Sequence, residues 1–105
     1  GTIIDVKPIF IEEYPFTAIS VALPKTNLLI VSNDEGYIMC AALDVDLLSE
    51  KLADRKVIAG RAVGVRTIEQ LLDAPLEKVT DASKEKGWSP GMTGKEALLK
   101  LVSRE

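Results

Sequence analysis

A change in the spacing of apolar residues constrains the fold of this chain more than any other feature of its sequence. Up to residue 42, short apolar runs are separated by turn sequences at regular intervals, which is typical of an antiparallel meander of strands. After Asp44 the apolar residues recur at helical spacing over 44–54 and again beyond residue 67. The sequence therefore predicts an α+β, or mixed α/β, fold with N-terminal antiparallel strands, a central βαβ unit and C-terminal helices.

The central unit is predicted from a helical segment between two apolar strands. Residues 37–42 and 57–65 have the composition of strands, and Asp44 is a suitable N-cap for a helix over 44–54. A strand, a helix and a strand in that order form a right-handed crossover whose two strands run parallel. We therefore expect strands 37–42 and 57–65 to be parallel neighbours, with the helix packed on one face of the sheet.

The last forty residues carry signals for the beginnings and ends of helices. Two pairs of residues have the spacing of a capping box, Thr67 with Gln70 and Thr93 with Glu96. Pro75 fits the first turn of a helix that lies between these two. We expect that intermediate helix to end at Gly87, with the side chain of Trp88 making the apolar contact that follows a glycine C-cap.

The β-rich residues 1–35 predict self-association. Pro8 within the first apolar run indicates an edge strand or a bulge. A strand in a one-sided sheet alternates between apolar and polar residues, but residues 9–11 and 28–31 are apolar throughout. A single copy would therefore expose a large apolar patch, which closed symmetric association removes. We expect a homo-oligomer whose contact draws on four apolar side chains, those of Ile9, Ile11, Phe16 and Leu29.

Length and composition are those of an ordinary intracellular domain. The 105 residues fit a single α/β domain over 1–105, and 47% hydrophobic residues exclude a disordered chain. One cysteine cannot form an internal disulfide, which small secreted domains usually need. Every apolar run is too short to span a bilayer. We therefore expect a cytoplasmic protein with no membrane partner.

The absence of histidine excludes several chemistries. Without an imidazole the chain can form neither a Ser-His-Asp triad nor a Cys-His dyad. A single cysteine cannot build a thiolate zinc site, so a metal site would have to be made of oxygen ligands. Helix capping explains the carboxylates of Asp44 and Asp46 without a metal, and we expect neither a metal nor a cofactor. The net charge of −3 argues against nucleic acid as a partner, because nucleic-acid binding requires a basic surface.

Five segments, in their order along the chain, give a resemblance to a known family: GYIMC at 36–40, ALDV at 42–45, AGRAVGVRT at 59–67, LLDAPL at 71–76 and GMTGKEAL at 91–98. The chain resembles the YunC-like family of bacterial and archaeal domains of unknown function, DUF1805, over nearly its whole length. The resemblance implies an N-terminal β region used for tetramerisation, and so favours a homotetramer over a dimer. It implies no established activity.

Cys40 is the candidate catalytic residue. It lies near the end of strand 37–42, just before the predicted helix, and a helix N-terminus favours a thiolate. The alternative is structural, because free cysteines are usually buried, and Ile38, Cys40 and Ala42 share one face of the strand. A small enzyme that uses Cys40 is therefore an alternative to a binding domain.

A second candidate site lies where strand 57–65 meets the helix capped by Thr67. Glycines let the backbone approach a ligand, and exposed N–H groups with an arginine can hold a phosphate or a carboxylate. Close packing of helix on sheet would explain the glycines equally well, and the segment matches neither a Walker A loop nor a dinucleotide fingerprint. The candidate anion-binding residues are Gly64, Arg66, Thr67 and Arg61.

These observations predict a small-anion-binding or scaffold domain, with a small enzyme based on Cys40 or the Arg61/Arg66 region as the alternative. A minor alternative is nucleic-acid contact. Residues 67–75 followed by 91–94 are loosely similar to helix-hairpin-helix modules, whose glycine-rich hairpin offers N–H groups to phosphates. Few basic residues lie near the final helix, namely Lys95, Lys100 and Arg104.

Overall fold

A six-stranded sheet is the centre of the computed structural model, which describes residues 3–23, 26–40 and 57–102. Each strand pairs with the next one along the chain, and all neighbours are antiparallel except β4 and β5. The strands are β1 (Ile3–Ile11), β2 (Tyr14–Leu23), β3 (Thr26–Ser32), β4 (Gly36–Met39), β5 (Ile58–Arg61) and β6 (Lys78–Val79).

The pairing of β4 with β5 confirms the predicted parallel centre of the fold. Gly36 lies opposite Ile58, and Met39 lies opposite Arg61. Both strands are shorter than the predicted 37–42 and 57–65. After β5 the chain turns away from the sheet, and Gly64 has a φ of 74°. The helix predicted over 44–54 lies outside the described residues.

Three helices of the described chain are α1 (Ile68–Asp73), α2 (Asp81–Lys84) and α3 (Gly94–Val102). Two of them begin at the predicted capping boxes. The Thr67 hydroxyl accepts a hydrogen bond from the N–H of Gln70 at 3.1 Å, and the Thr93 hydroxyl accepts one from the N–H of Glu96 at 3.1 Å. Local sequence therefore fixes where α1 and α3 begin. A mixed sheet with mostly C-terminal helices is the predicted α+β fold.

The prediction of a helix that begins at Pro75 is wrong, because the segment after α1 is extended there. Pro75 forms an isolated bridge with Thr93, and β6 then pairs with β5. Helix α2 begins only after Thr80, whose hydroxyl donates to the carbonyl oxygen of Val57 at 2.6 Å. Pairing with β5 satisfies backbone groups at the edge of the sheet, and this tertiary gain outweighs the local helix signal.

Gly87 ends the α2 region, as predicted. Its N–H donates to the carbonyl oxygen of Lys84 at 3.1 Å, and the N–H of Trp88 donates to that of Ser83 at 3.1 Å. Gly87 has a φ of 88°, so this is a Schellman motif. The reversal of the chain brings the side chain of Trp88 into the core, where it is 2% exposed.

One face of the sheet, here named the helix-covered face, forms the core with α1 and α3. An ideal Cβ on Gly94 would lie 2.5 Å from Cδ1 of Ile38, so only glycine allows the beginning of α3 to approach β4 this closely. Leu71 of α1 and Leu98 of α3 are fully buried in the same core. The buried apolar residues of strands β1 to β4 are Ile11, Phe16, Ala18, Leu29, Val31 and Ile38.

The opposite face, here named the open face, exposes apolar side chains along β1. The exposed fractions of Ile4, Val6 and Phe10 are 66%, 59% and 69%. Farther along the sheet Ala59 is fully buried on this face, so exposure is concentrated at the first strand. Strand alternation and register place seven apolar residues on the open side of β1 to β3: Ile4, Val6, Phe10, Ile19, Val21, Leu28 and Ile30.

The turn between β1 and β2 connects the two strands that carry these residues. Ile11 lies opposite Tyr14, which leaves a two-residue turn, and Glu12 and Glu13 have φ angles of 48° and 77°. Positive φ at both central residues defines a type I′ turn, which Asn and Gly favour and glutamate does not. The pairing of the strands therefore stabilises this hairpin more than its turn sequence does. None of the helices within the described ranges is long and apolar enough to cross a membrane.

Candidate functional site

Cys40, the candidate catalytic residue, lies in the core. It follows β4 directly, its N–H donates to the carbonyl oxygen of Leu29 at 3.1 Å, and it is 7% exposed. Its Sγ lies 3.6 Å from the carbonyl oxygen of Asn27. The thiol therefore has a backbone acceptor and apolar surroundings, and a substrate would have to enter the core to reach it. This placement favours a packing role over a nucleophilic one.

Arg61, the last residue of β5, already has an anionic partner within the chain. Its Nη2 lies 2.5 Å from Oε1 of Glu77, and its side chain is 19% exposed. A carboxylate at that distance makes a charge-assisted hydrogen bond. An incoming anion would therefore have to compete with Glu77 for this guanidinium.

Gly64, Arg66 and Thr67 lie in the exposed segment between β5 and α1. The N–H of Arg66 donates to Oε1 of Gln70 at 2.7 Å, and the N–H of Gln70 donates to the Thr67 hydroxyl at 3.1 Å. Two donors that an anion could have used are thus bonded within the cap. What this segment offers a ligand is the exposed side chain of Arg66 and the open backbone at Gly64, whose Cβ position has nothing within 4 Å.

The two sequence-predicted sites follow neighbouring strands but do not form one site. Because β4 and β5 are parallel, their carboxyl ends lie at the same end of the sheet, where α/β folds often bind ligands. Cys40 follows the first strand and residues 62–67 follow the second. Cys40 is buried, however, whereas Arg66 is exposed.

The glycine-rich segment before α3 differs in its surroundings from a helix-hairpin-helix loop. Strand β6 and helix α2 separate α1 from α3, so these two helices are not joined by one short hairpin. Gly94 is buried against Ile38, and its N–H donates to the carbonyl oxygen of Ala74 at 3.3 Å. The exposed glycine of the segment is Gly91, with a φ of 100°.

The four residues predicted for the oligomer contact lie mainly inside the chain's own core. Ile11, Phe16 and Leu29 are 4%, 3% and 2% exposed, and Ile9 is partly buried against the same cluster. Their side chains are on the helix-covered face, where α1 and α3 already pack. Sequence reasoning missed the exposed apolar residues of β1, which are Ile4, Val6 and Phe10. Their period of two places them on one face but does not tell which face the helices cover.

Comparison with known proteins relates both the sequence and the fold to proteins without an assigned function. The sequence profile of the family described as "Domain of unknown function (DUF1805)" matches residues 39–101. The chain is 63% identical over 99 residues to "Uncharacterized protein YunC" of Bacillus subtilis (strain 168). The aligned residues cover 94% of this chain and 98% of that protein. Its fold is similar to the crystal structure of a protein of unknown function, TA1206 from Thermoplasma acidophilum. The TM-score is 0.86 at 25% identity, over 96% of this chain and 95% of that chain.

Proposed function

The chain belongs to the DUF1805 family of domains of unknown function, and from that premise we propose that it works as a self-assembling binding or scaffold domain in the cytoplasm. The observation that carries the proposal is the exposure of Ile4, Val6 and Phe10, at 66%, 59% and 69%. Soluble monomers seldom expose a contiguous apolar patch beyond a few hundred Å². The partner we assign to the open face is a second copy of this chain.

The backbone hydrogen bonds of the sheet add a second surface for self-association. In an antiparallel sheet, alternate residues of a strand direct their N–H and C=O groups to opposite neighbours. Asn33 donates to Gly36 and Cys40 donates to Leu29, so the odd-numbered residues of β3 pair with β4. The even-numbered residues of β3 therefore pair with β2, at its odd-numbered positions.

The same alternation continues to β1, whose outer side is an edge of the sheet that the described strands form. The odd-numbered residues of β1 pair with β2, and the even-numbered ones direct their backbone groups outward. Pro8 occupies one of these outward positions, where a missing N–H costs no pairing within the sheet. An unpaired edge is a template for a strand of another chain, so β1 offers both a face and an edge to a second copy.

Two distinct surfaces favour a tetramer over a dimer. A closed tetramer with dihedral symmetry combines two different two-fold contacts, and the open face and the β1 edge provide a candidate for each. A stable interface of this kind buries about 2,000 Å² or more in total. A lone, buried cysteine suits the reducing conditions of the cytoplasm, where such an assembly needs no disulfide.

A charge placed on the open face tests the proposal. Val6→Glu puts a carboxylate in the centre of the proposed contact, and we expect it to shift the assembly to smaller species in sedimentation velocity. Lys7→Glu is the matched control, because it places the same side chain at the next position of β1, on the opposite face and also exposed. Equal sedimentation of wild type and Val6→Glu, with both folded, would remove the open face from the contact.

Anion binding beside α1 is a second candidate function, favoured by the exposure of Arg66 at the carboxyl end of a parallel strand pair. Arg66→Ala is expected to weaken the binding of inorganic phosphate by about 1.5–3 kcal/mol if the guanidinium makes a charge-assisted bond. Lys86→Ala removes an exposed cation of a different segment and serves as the control in calorimetry. Equal affinities in the two variants would exclude Arg66 as the anion site.

A further inference from the structure

The end of the sheet that carries the β1–β2 turn contains a cleft. Strand β2 extends past β3: Thr17 lies opposite Ser32, but the three residues of β2 before Thr17 have no partner on β3. The chain leaves β3 through the turn at 33–36, and the gap between this turn and the hairpin is a cleft of about 510 Å³. That volume lies within the range of small-molecule sites. The lining residues are Pro8, Pro15, Phe16, Thr17, Ser32, Asn33, Asp34, Glu35 and Val102.

The turn at 33–36, on one side of the cleft, has backbone N–H groups that are hydrogen-bonded within the turn itself. The N–H of Asn33 donates to the carbonyl oxygen of Gly36 at 3.0 Å. Oδ1 of Asn33 accepts from the N–H of Glu35 at 2.9 Å and from the N–H of Gly36 at 3.1 Å. These bonds hold the turn in place and occupy three backbone donors. The carboxylates of Asp34 and Glu35 are on exposed residues at its tip.

The β1–β2 hairpin, on the other side of the cleft, likewise presents more hydrogen-bond acceptors than donors. Pro8 and Pro15 have no N–H. The odd-numbered residues of β2 direct their backbone groups toward β3, and by this alternation Pro15 directs its carbonyl oxygen into the gap that β3 leaves. Two hydroxyls, of Thr17 and Ser32, complete the polar part of the wall. Among the described residues that line the cleft, two carry carboxylates and none carries a basic side chain.

A cleft rich in acceptors, with apolar surface beside them, has the chemistry of a site for an organic cation. We propose that it binds a small molecule with an ammonium or guanidinium group on a short apolar stem. Asp34 and Glu35 receive the charged group, which donates several hydrogen bonds at once. The rings of Pro8 and Pro15 and the side chain of Val102 pack against the stem. A bare metal ion would gain nothing from the apolar part of this wall.

Titration calorimetry with agmatine, which has both a guanidinium and an ammonium group, tests the proposal on the full chain. We expect agmatine to bind wild type and n-butanol, a neutral compound of similar stem length, not to bind. The double variant Asp34→Asn/Glu35→Gln should weaken agmatine about tenfold or more, because the loss of even one charged hydrogen bond costs about that factor. The matched control is Glu69→Gln/Asp73→Asn, which makes the same chemical change at two exposed carboxylates of α1.

A second variant keeps the test independent of the first. Thr17→Lys places an ammonium group on the exposed wall of the cleft, and we expect it to compete with agmatine and weaken its binding by a similar factor. Circular dichroism and sedimentation of each variant separate loss of the cleft from loss of fold or assembly. No agmatine binding by wild type at millimolar concentration, or an equal loss in the two double variants, would overturn the proposal.

Discussion

The part of the sheet formed by β1 to β3 has two faces that are both rich in apolar residues, yet the two faces differ in burial. On the helix-covered face Leu29 and Val31 are 2% and 0% exposed, because α1 and α3 pack over them. On the open face Ile4 and Phe10 are 66% and 69% exposed. The difference shows that residue type does not decide burial here; the positions of the helices do. The open face is the one for which another copy would provide the cover.

Truncation of one side chain on each face gives the largest expected contrast. Leu29→Ala should lower the free energy of unfolding by about 2–5 kcal/mol, as for other buried leucines. In the dissociated chain, Ile4→Ala should lower the free energy of unfolding by about 0.5 kcal/mol or less. If Ile4 lies in the contact between copies, the loss should be larger and should grow with protein concentration. Urea unfolding at two protein concentrations, followed by the emission of Trp88, measures both.

A cost of Leu29→Ala below about 1 kcal/mol would contradict the burial of Leu29, since such a value is typical of a surface position. If Ile4→Ala lowers the free energy of unfolding by the same amount at every protein concentration, Ile4 does not lie in the contact between copies. Trp88 is a suitable reporter for these measurements, because it is the single tryptophan of the chain and is 2% exposed.

Substitutions in the turn that joins β1 to β2 should raise the free energy of unfolding, by less than Leu29→Ala lowers it. Glu12→Asn with Glu13→Gly supplies the residues that a type I′ turn favours, at two positions where φ is 48° and 77°. We expect a gain of about 1 kcal/mol in unfolding free energy, because the left-handed conformation costs most side chains about that much. Thermal unfolding checks the gain. No change in stability would mean that the glutamates adopt a different turn.

Tyr37 gives the smallest effect, at alkaline pH. Burial raises the pKa of Tyr37 above its ordinary value of 10.0. Because folding favours the neutral phenol, this contribution to stability is complete below the unfolded pKa and is lost as pH rises through the higher folded pKa. Tyrosinate absorbance during a titration of wild type and Tyr37→Phe isolates Tyr37. A phenol that ionises below pH 10.0 in the folded protein would contradict the burial of this side chain.

The sequence was sufficient for the features that rest on local signals. The change of period at Asp44 predicted the parallel pairing of β4 with β5, and the capping boxes located the beginnings of α1 and α3. Strand β6 was missed because two residues are too few to show a period, and their pairing partner lies in β5. No local pattern reports a pairing of that kind.

The orientation of the first strand was the other feature that sequence reasoning could not supply. Residues 9–11 are apolar without alternation, so they do not indicate which side faces the core. The register of β1 follows from a two-residue turn at Glu12 and Glu13, where the sequence lacks the usual Asn-Gly signal. The cleft beside Asp34 depends on a second register, that of β2 with β3, because it forms where β2 extends past β3.

The most direct test of the central claim, that the open face is covered by another copy of this chain, is the mass of the wild-type protein in solution. Sedimentation equilibrium at micromolar concentration should give four times the mass of one 11.4 kDa chain if both two-fold contacts form, and Val6→Glu should lower that mass. A folded wild-type protein that stays at 11.4 kDa across the concentration range would contradict the claim.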